Sequence, residues 1–431
     1  MPQPTDPERD ALVQRVLDKY ERYLNPAWAK GFKFLGAATL EVEAEGAVIR
    51  DIYGREFIDF ACGPSVFILG HRHPRVMAAV RAELERMPLS VRILPNEPMA
   101  DLAELLAQVT PGDLQRSFFT NSGAEANEGA LKLARAASGK PGIIAAKGGF
   151  HGKTFGALSV SGNEMYREPF QPLLPGVTHV PFGDLAALAA AIGPDTGAVI
   201  LEPIQGENGV VVPPTGYLRG VRDTCSRHGV VLILDEVQSG MGRTGKMWAC
   251  EWEEVTPDIL TTSKGFGGGV SPLGALIARP SVYEPFTKDP YLHSTTFGNR
   301  LGWVAAATTI RTILEEGLLE RAEAIGRQLV VGWREIQAAH GELIRDVRGK
   351  GCLVGVEFTD PDIGLLVMSG MFSRQVLGFQ TLNKRDVIRF APPLIATDAQ
   401  IARVLDAAVE AVEEVGGLLE MVAEERTAPL D

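Results

Sequence analysis

Val230-Val231-Leu232-Ile233-Leu234-Asp235-Glu236-Val237-Gln238 is an apolar run that stops abruptly on two carboxylates. A short continuous run of this kind, rich in β-branched residues, reads as a strand buried on both faces. A second run follows it: Asp258-Ile259-Leu260-Thr261-Thr262-Ser263-Lys264-Gly265-Phe266-Gly267-Gly268-Gly269, a short β-rich stretch with a lysine at its end and glycines beyond. Outward from this pair, similar runs alternate with helical stretches between about 115 and 280. They are Ser117-Phe118-Phe119, Gly142–Ala146, His179-Val180-Pro181, Ala198–Leu201 and Leu273–Ala278. The alternation predicts an α/β fold around a mostly parallel sheet with helices on both faces. Chemistry then belongs at the carboxyl ends of the strands. Asn121 to Glu125, Phe150-His151, Glu202 to Glu207, Asp235 to Gln238 and Lys264 all lie there.

The flanks read differently. Leu12, Val13, Val16, Leu17 and Tyr20 recur at helical spacing and predict one helix over 7–24. Residues 38–60 read as short strands around a turn at Tyr53-Gly54-Arg55, with helices near 74–86 and 97–108. A single helix is expected over about 300–337. Strands near 352–358 and 387–390 and a final helix near 398–415 follow, with a frayed tail at Glu424–Pro429.

Composition narrows the class. The 431 residues are 45% hydrophobic and 22% charged, as in an ordinary globular enzyme. Asp and Glu number 54 against 42 Lys and Arg, a net charge of −12 that argues against nucleic acid as a partner. Cys62, Cys225, Cys250 and Cys352 are far apart and form no C-x-x-C pair, so neither zinc nor a disulfide framework is expected. No clustered His, Cys and carboxylate set suggests a metal. The N-terminus has no apolar signal core and no run is long enough to span a membrane, which together point to the cytoplasm.

Lysine at one strand end and aspartate at another are two parts that pyridoxal phosphate chemistry requires. The lysine amine condenses with the cofactor aldehyde, and the carboxylate keeps the pyridine nitrogen protonated. Asp235 also suits a helix cap, but its pairing with Lys264 favours the catalytic reading. Asn121-Ser122-Gly123-Ala124-Glu125-Ala126-Asn127 joins a strand to a helix whose N-terminal N–H groups suit a phosphate, or simply a start capped by Ser122. Phe150 suits stacking on a flat ring or burial in the core, and His151 suits a ligand, a base or a structural role. Val237 is placed to pack on the ring and Gln238 to donate to its oxygen.

In these features the chain resembles the class III pyridoxal phosphate-dependent aminotransferases of fold-type I, from about residue 35 to 415. The ordered set comprises Gly70-His71-Arg72-His73-Pro74, Asn121–Glu125, Phe150-His151-Gly152, Glu202-Pro203-Ile204-Gln205-Gly206-Glu207, Leu234–Gly245, Ser263-Lys264 and His293-Ser294-Thr295-Thr296-Phe297-Gly298. The resemblance implies Lys264 and Asp235 as catalytic residues. Ser122, Gly123, Ala124, Phe150, His151, Val237 and Gln238 join them in holding the cofactor. Thr296 would reach the phosphate of a neighbouring subunit in a homodimer with shared active sites, the pairing of dimers into tetramers staying open. It also implies a small α+β domain from an N-terminal segment, 1–75, and a C-terminal one, 311–431, beside a large domain over 76–310.

Substrate features resemble putrescine aminotransferases. Acetylornithine and ornithine enzymes carry an arginine after Phe-x-Gly, where this chain has Lys153, a point charge without the planar fork that grips a carboxylate. The resemblance thus implies a terminal diamine or ω-amine donor and an oxo acid acceptor such as 2-oxoglutarate or pyruvate. Arg389 matches the arginine that binds the acceptor, and Glu207 the glutamate that pairs with it. Val66, within Gly63–Phe67, is expected to line the donor pocket. Asn299-Arg300-Leu301 departs from the family's Gly-Asn-Pro, and the extra charge of Arg300 is expected to alter substrate access. An acetylornithine or ornithine aminotransferase is the first alternative, and an aminomutase, racemase or decarboxylase the second.

Overall fold

A computed structural model describes residues 6–289 and 298–427. Its centre is a seven-stranded sheet in the spatial order Arg116–Thr120, Gly274–Ala278, Ile259–Thr262, Val231–Asp235, Thr196–Leu201, Gly142–Ala146, Val177–Val180. Gly274–Ala278 runs antiparallel to both of its neighbours, and the remaining pairings are parallel. Val231–Asp235 is buried at every position. Alternate side chains enter different cores: Leu232 and Leu234 join one cluster, Val231 and Ile233 another. Both faces are therefore covered, and the run has no polar alternation.

The helix Gly123–Ser138 packs on one face against five of these strands. Ser122 caps it, its Oγ accepting from Glu125 N at 3.2 Å, while Glu125 Oε2 reaches back to Asn121 N at 2.7 Å. Gly139, left-handed at φ 66°, ends the helix.

Two four-stranded sheets flank the large one. Glu41–Glu45, Val48–Asp51 and Glu56–Asp59 form an antiparallel meander, and Val376–Leu377 joins its edge in parallel, so distant parts of the chain share a sheet. The other consists of Ile344–Lys350, Leu353–Phe358, Val387–Phe390 and Phe379–Gln380. Arg389 pairs there with Gly355. A Cβ on Gly355 would lie 2.9 Å from Val210 Cβ and 3.1 Å from Gly209 O, so glycine lets this sheet approach the segment after Glu207.

Several sequence expectations need correction. The stretch near 300–337 is two helices, Arg300–Glu315 and Leu318–Ala339, broken where Gly317 adopts φ 65°. The first helix runs Pro7–Lys19 and continues as a wider turn over Tyr20–Leu24, and Pro26–Phe34 is a further helix. The last helix extends from Asp398 to Thr427, through most of the expected tail. Arg300 is largely buried and ion-paired to Glu83, itself 5% exposed, on the helix Pro74–Arg86. No helix among the described residues is long and apolar enough to cross a membrane.

Candidate active site

The strand ends converge on a cavity of about 200 Å³. It is lined by Gly123, Ala124, Phe150, Asp235, Val237 and Lys264, with His151, Gln238, Glu202, Glu207, Asn127, Gly152 and Ser263 completing the wall.

Lys264 opens a short 3-10 turn, Lys264–Gly267, just after the strand Ile259–Thr262. Its φ of 51° is unusual for a residue with a Cβ, and such strain is held by surrounding packing. Burial lowers the Lys264 pKa despite the raising influence of Glu207, so the neutral amine becomes more accessible.

Asp235 is 3% exposed and oriented by three donors. Asn127 Nδ2 and His151 Nδ1 reach Oδ2 at 2.7 and 2.8 Å, and Val237 N reaches Oδ1 at 3.0 Å. Asn127 is itself fixed: its Oδ1 accepts from Thr261 Oγ1 at 2.7 Å, and its Nδ2 also donates to His151 O at 2.8 Å. Burial opposes the charged form of His151, but the hydrogen bond and charge of Asp235 outweigh it and raise the pKa. Glu202 accepts from Phe150 N at 2.9 Å and Gly206 N at 3.2 Å, and burial pushes its carboxyl up to about 7.

Glycine shapes the helix start. A Cβ on Gly123 would lie 2.9 Å from both Val237 methyls, so only glycine lets the helix N-terminus lie this close to Val237. Ser122 is committed to the cap, its Oγ accepting from Glu125 N and donating to Glu125 Oε2 at 3.4 Å.

Beside the cavity, Arg389 Nη1 donates to Glu207 Oε1 at 2.6 Å and to Gln238 Oε1 at 3.1 Å. Gln238 Nε2 donates to Glu207 Oε1 at 3.0 Å, so both polar atoms of Gln238 are engaged there. Leu382 N donates to Glu207 Oε2 at 3.1 Å. Burial works against the Glu207 carboxylate, but the charges of Arg389 and Lys264 hold its pKa down, to about 2. Arg389 is fully buried, yet among the described residues its Nε and Nη2 have no hydrogen-bond partner.

Other sequence candidates lie outside this wall. Lys153 is exposed, its Nζ 4.1 Å from the Tyr166 ring centre and 5.9 Å from that of Phe150. Val66 is half-buried in a loop packed near the glycines after Lys264: a Cβ on Gly269 would meet neighbouring Phe67 at 2.8 Å. Thr296 lies outside the described residues. Asn127 and Tyr166 carried no sequence reading of their own. An asparagine one turn into a helix that starts at a strand end was the available signal for the first. Tyr166 offered none.

These residues fit pyridoxal phosphate. An amine whose charge is disfavoured, a buried oriented carboxylate and the open N-terminus of a 16-residue helix border one cavity. Phe150 and Val237 supply apolar wall for a planar ring.

Comparison with known proteins agrees. The sequence profile of the family described as aminotransferase class-III matches residues 36–412. An ornithine aminotransferase from Toxoplasma gondii ME49 is 30% identical over 96% of this chain and 100% of its own, with a TM-score of 0.87. A Toxoplasma gondii ornithine aminotransferase structure whose active site is described as partly occupied by pyridoxal phosphate is 32% identical, covering 88% and 92%, with a TM-score of 0.82. A transaminase from the marine bacterium Virgibacillus is 28% identical over 88% of this chain and 94% of its own, with a TM-score of 0.84. Strand-end chemistry, fold and profile thus converge: the chain belongs to the class III aminotransferases, fold-type I enzymes that depend on pyridoxal phosphate.

Proposed function

We propose that this transaminase takes its amino group from a terminal diamine or ω-amine, putrescine-like in chemistry, and gives it to an oxo acid such as 2-oxoglutarate or pyruvate. When bound, pyridoxal phosphate supplies an electron-withdrawing ring that stabilises negative charge at the carbon bearing the donor amine. In this reading Lys264 carries the cofactor and its amine moves the proton at that carbon. Asp235 supplies the negative charge that keeps the ring nitrogen protonated, with Asn127 and His151 fixing its direction. Gly123 and Ala124 offer N–H groups to the phosphate, with Ser122 shaping the turn, while Phe150, Val237 and Gln238 border the ring.

The Glu207–Arg389 pair carries the substrate reading. A donor without a carboxylate leaves the pair intact, because Glu207 already neutralises Arg389. An oxo acid brings its own carboxylate to compete for the guanidinium, whose Nε and Nη2 remain to bind it. Arg389→Ala should therefore raise the acceptor KM by at least about 10-fold, the scale of losing one partner of a buried charge pair, with much less change in the donor KM. Steady-state kinetics varying each substrate in turn checks this, and equal effects on both would sink the assignment.

Ornithine or acetylornithine as donor is the second reading, favoured by the identity to the Toxoplasma gondii enzymes. Lys153 and Val66 are our candidates for the donor region. Comparing putrescine and ornithine as donors separates the readings.

We also infer a cytoplasmic homodimer in which Thr296 reaches the neighbouring phosphate. Leu89, Val91, Ile93 and Leu94 support a subunit contact, because they form an exposed apolar segment beside Gly298, whose O accepts from Ser90 N at 2.8 Å. Sedimentation equilibrium should return twice the chain mass, and a monomer mass would overturn the inference.

A further inference from the structure

Two cations near the cavity are suited to a substrate carboxylate, and both are occupied. Glu207 covers Arg389. The ring of Tyr166 faces Lys153, with Nζ 4.1 Å from its centre. The same tyrosine bears on the other mask. Its hydroxyl donates to Leu382 O at 3.2 Å, and Leu382 N is the donor to Glu207 Oε2.

Tyr166 sits on the short helix Glu164–Arg167, whose cap Asn163 also donates to Asn383 Oδ1 at 3.1 Å. Asn383 N donates to Glu207 O at 2.9 Å, and its side chain donates to Gly148 O at 2.8 Å. Residues 381–386 connect Phe379–Gln380 to Val387–Phe390, the strand that bears Arg389. One small cluster thus links the lysine beside Phe150 to the glutamate on Arg389.

From this geometry we infer that Tyr166 is a specificity-determining residue: its ring withholds Lys153, and its hydroxyl steadies the loop that keeps Glu207 on Arg389. Both effects disfavour a carboxylate on the donor. The inference rests on the proposed role of Arg389 and extends it to a residue outside the cavity wall. The two functions of the tyrosine are separable, because phenylalanine keeps the ring and loses the hydroxyl.

Tyr166→Phe removes one hydrogen bond from the loop while Asn383 still ties it. Glu207 is then displaced more easily. The acceptor KM and the Kd of glutarate, an unreactive dicarboxylate, should both fall roughly two- to tenfold with little change in kcat. Tyr166→Leu also releases Lys153. Relative to Tyr166→Phe, it should lower the putrescine-over-ornithine preference in kcat/KM by roughly two- to fivefold, the scale of one exposed cation–π contact. Adding Lys153→Met to both variants should abolish that difference.

Glutarate affinity unchanged in Tyr166→Phe would overturn the role of the hydroxyl. Equal donor preference in the two variants, or a difference that survives Lys153→Met, would overturn the role of the ring. A wild-type enzyme that prefers ornithine to putrescine would refute the proposed donor class instead, and the comparison between variants would still read Tyr166.

Discussion

Lys264→Ala should abolish turnover, with kcat falling by at least about 10⁴-fold, the upper range for loss of one positioned acid–base group. The reason is that two duties fall on one amine. In our account it carries the cofactor and afterwards moves the proton at the reacting carbon. The protein invests structure in this amine: a left-handed φ of 51°, a half-buried position and a pKa lowered chiefly by desolvation. Exogenous small amines should restore part of the rate by replacing the proton carrier. Steady-state rates with saturating pyridoxal phosphate check the prediction. A residual kcat within about 10-fold of wild type would remove Lys264 from the chemistry.

Asp235→Asn is the second large effect. An opposite charge beside a titrating nitrogen is worth about 1–3 pKa units, so removing it should cost roughly 10- to 1000-fold in kcat/KM. The substitution is isosteric but not silent. Asn127 and His151 donate to one carboxylate oxygen and Val237 N to the other, so an amide NH₂ must face a donor whichever way it turns. The charge and hydrogen bond that raise the His151 pKa also go, so that pKa should fall. NMR titration of His151 with parallel kinetics tests both points. Kinetics within a factor of about two of wild type would mean that Asp235 serves only as a structural anchor.

The large sheet was legible because its strands are buried on both faces. Leu232 and Leu234 enter one core and Val231 and Ile233 the other, so the run carries no polar interruption. The helix Pro361–Ser373 was missed because it is apolar on most sides, which erases the helical period. Within it Gly364 allows close packing on Phe358 and Gly370 on Ala411. The break at Gly317 was overlooked for the opposite reason: an apolar helical pattern resumes directly after it.

The candidate site was readable where its residues follow strand ends. Asp235 closes its strand, Lys264 comes just after Ile259–Thr262, and Phe150 follows Gly142–Ala146. Partnerships across long sequence distances were not readable. Asn127 acquires its role from Asp235, 108 residues away, and Tyr166 from Leu382, 216 residues away. Arg300 shows the same limit in reverse: its sequence position suggested a charge at the active-site border, but Glu83, 217 residues away, neutralises it.

The most direct test is the visible spectrum of the purified protein loaded with pyridoxal phosphate, recorded before and after putrescine in the absence of an oxo acid. The account predicts a cofactor band that putrescine bleaches and 2-oxoglutarate restores. A protein that acquires no such band, or whose band responds to neither putrescine nor any amino acid donor, would contradict the assignment of Lys264 and Asp235 on which the rest depends.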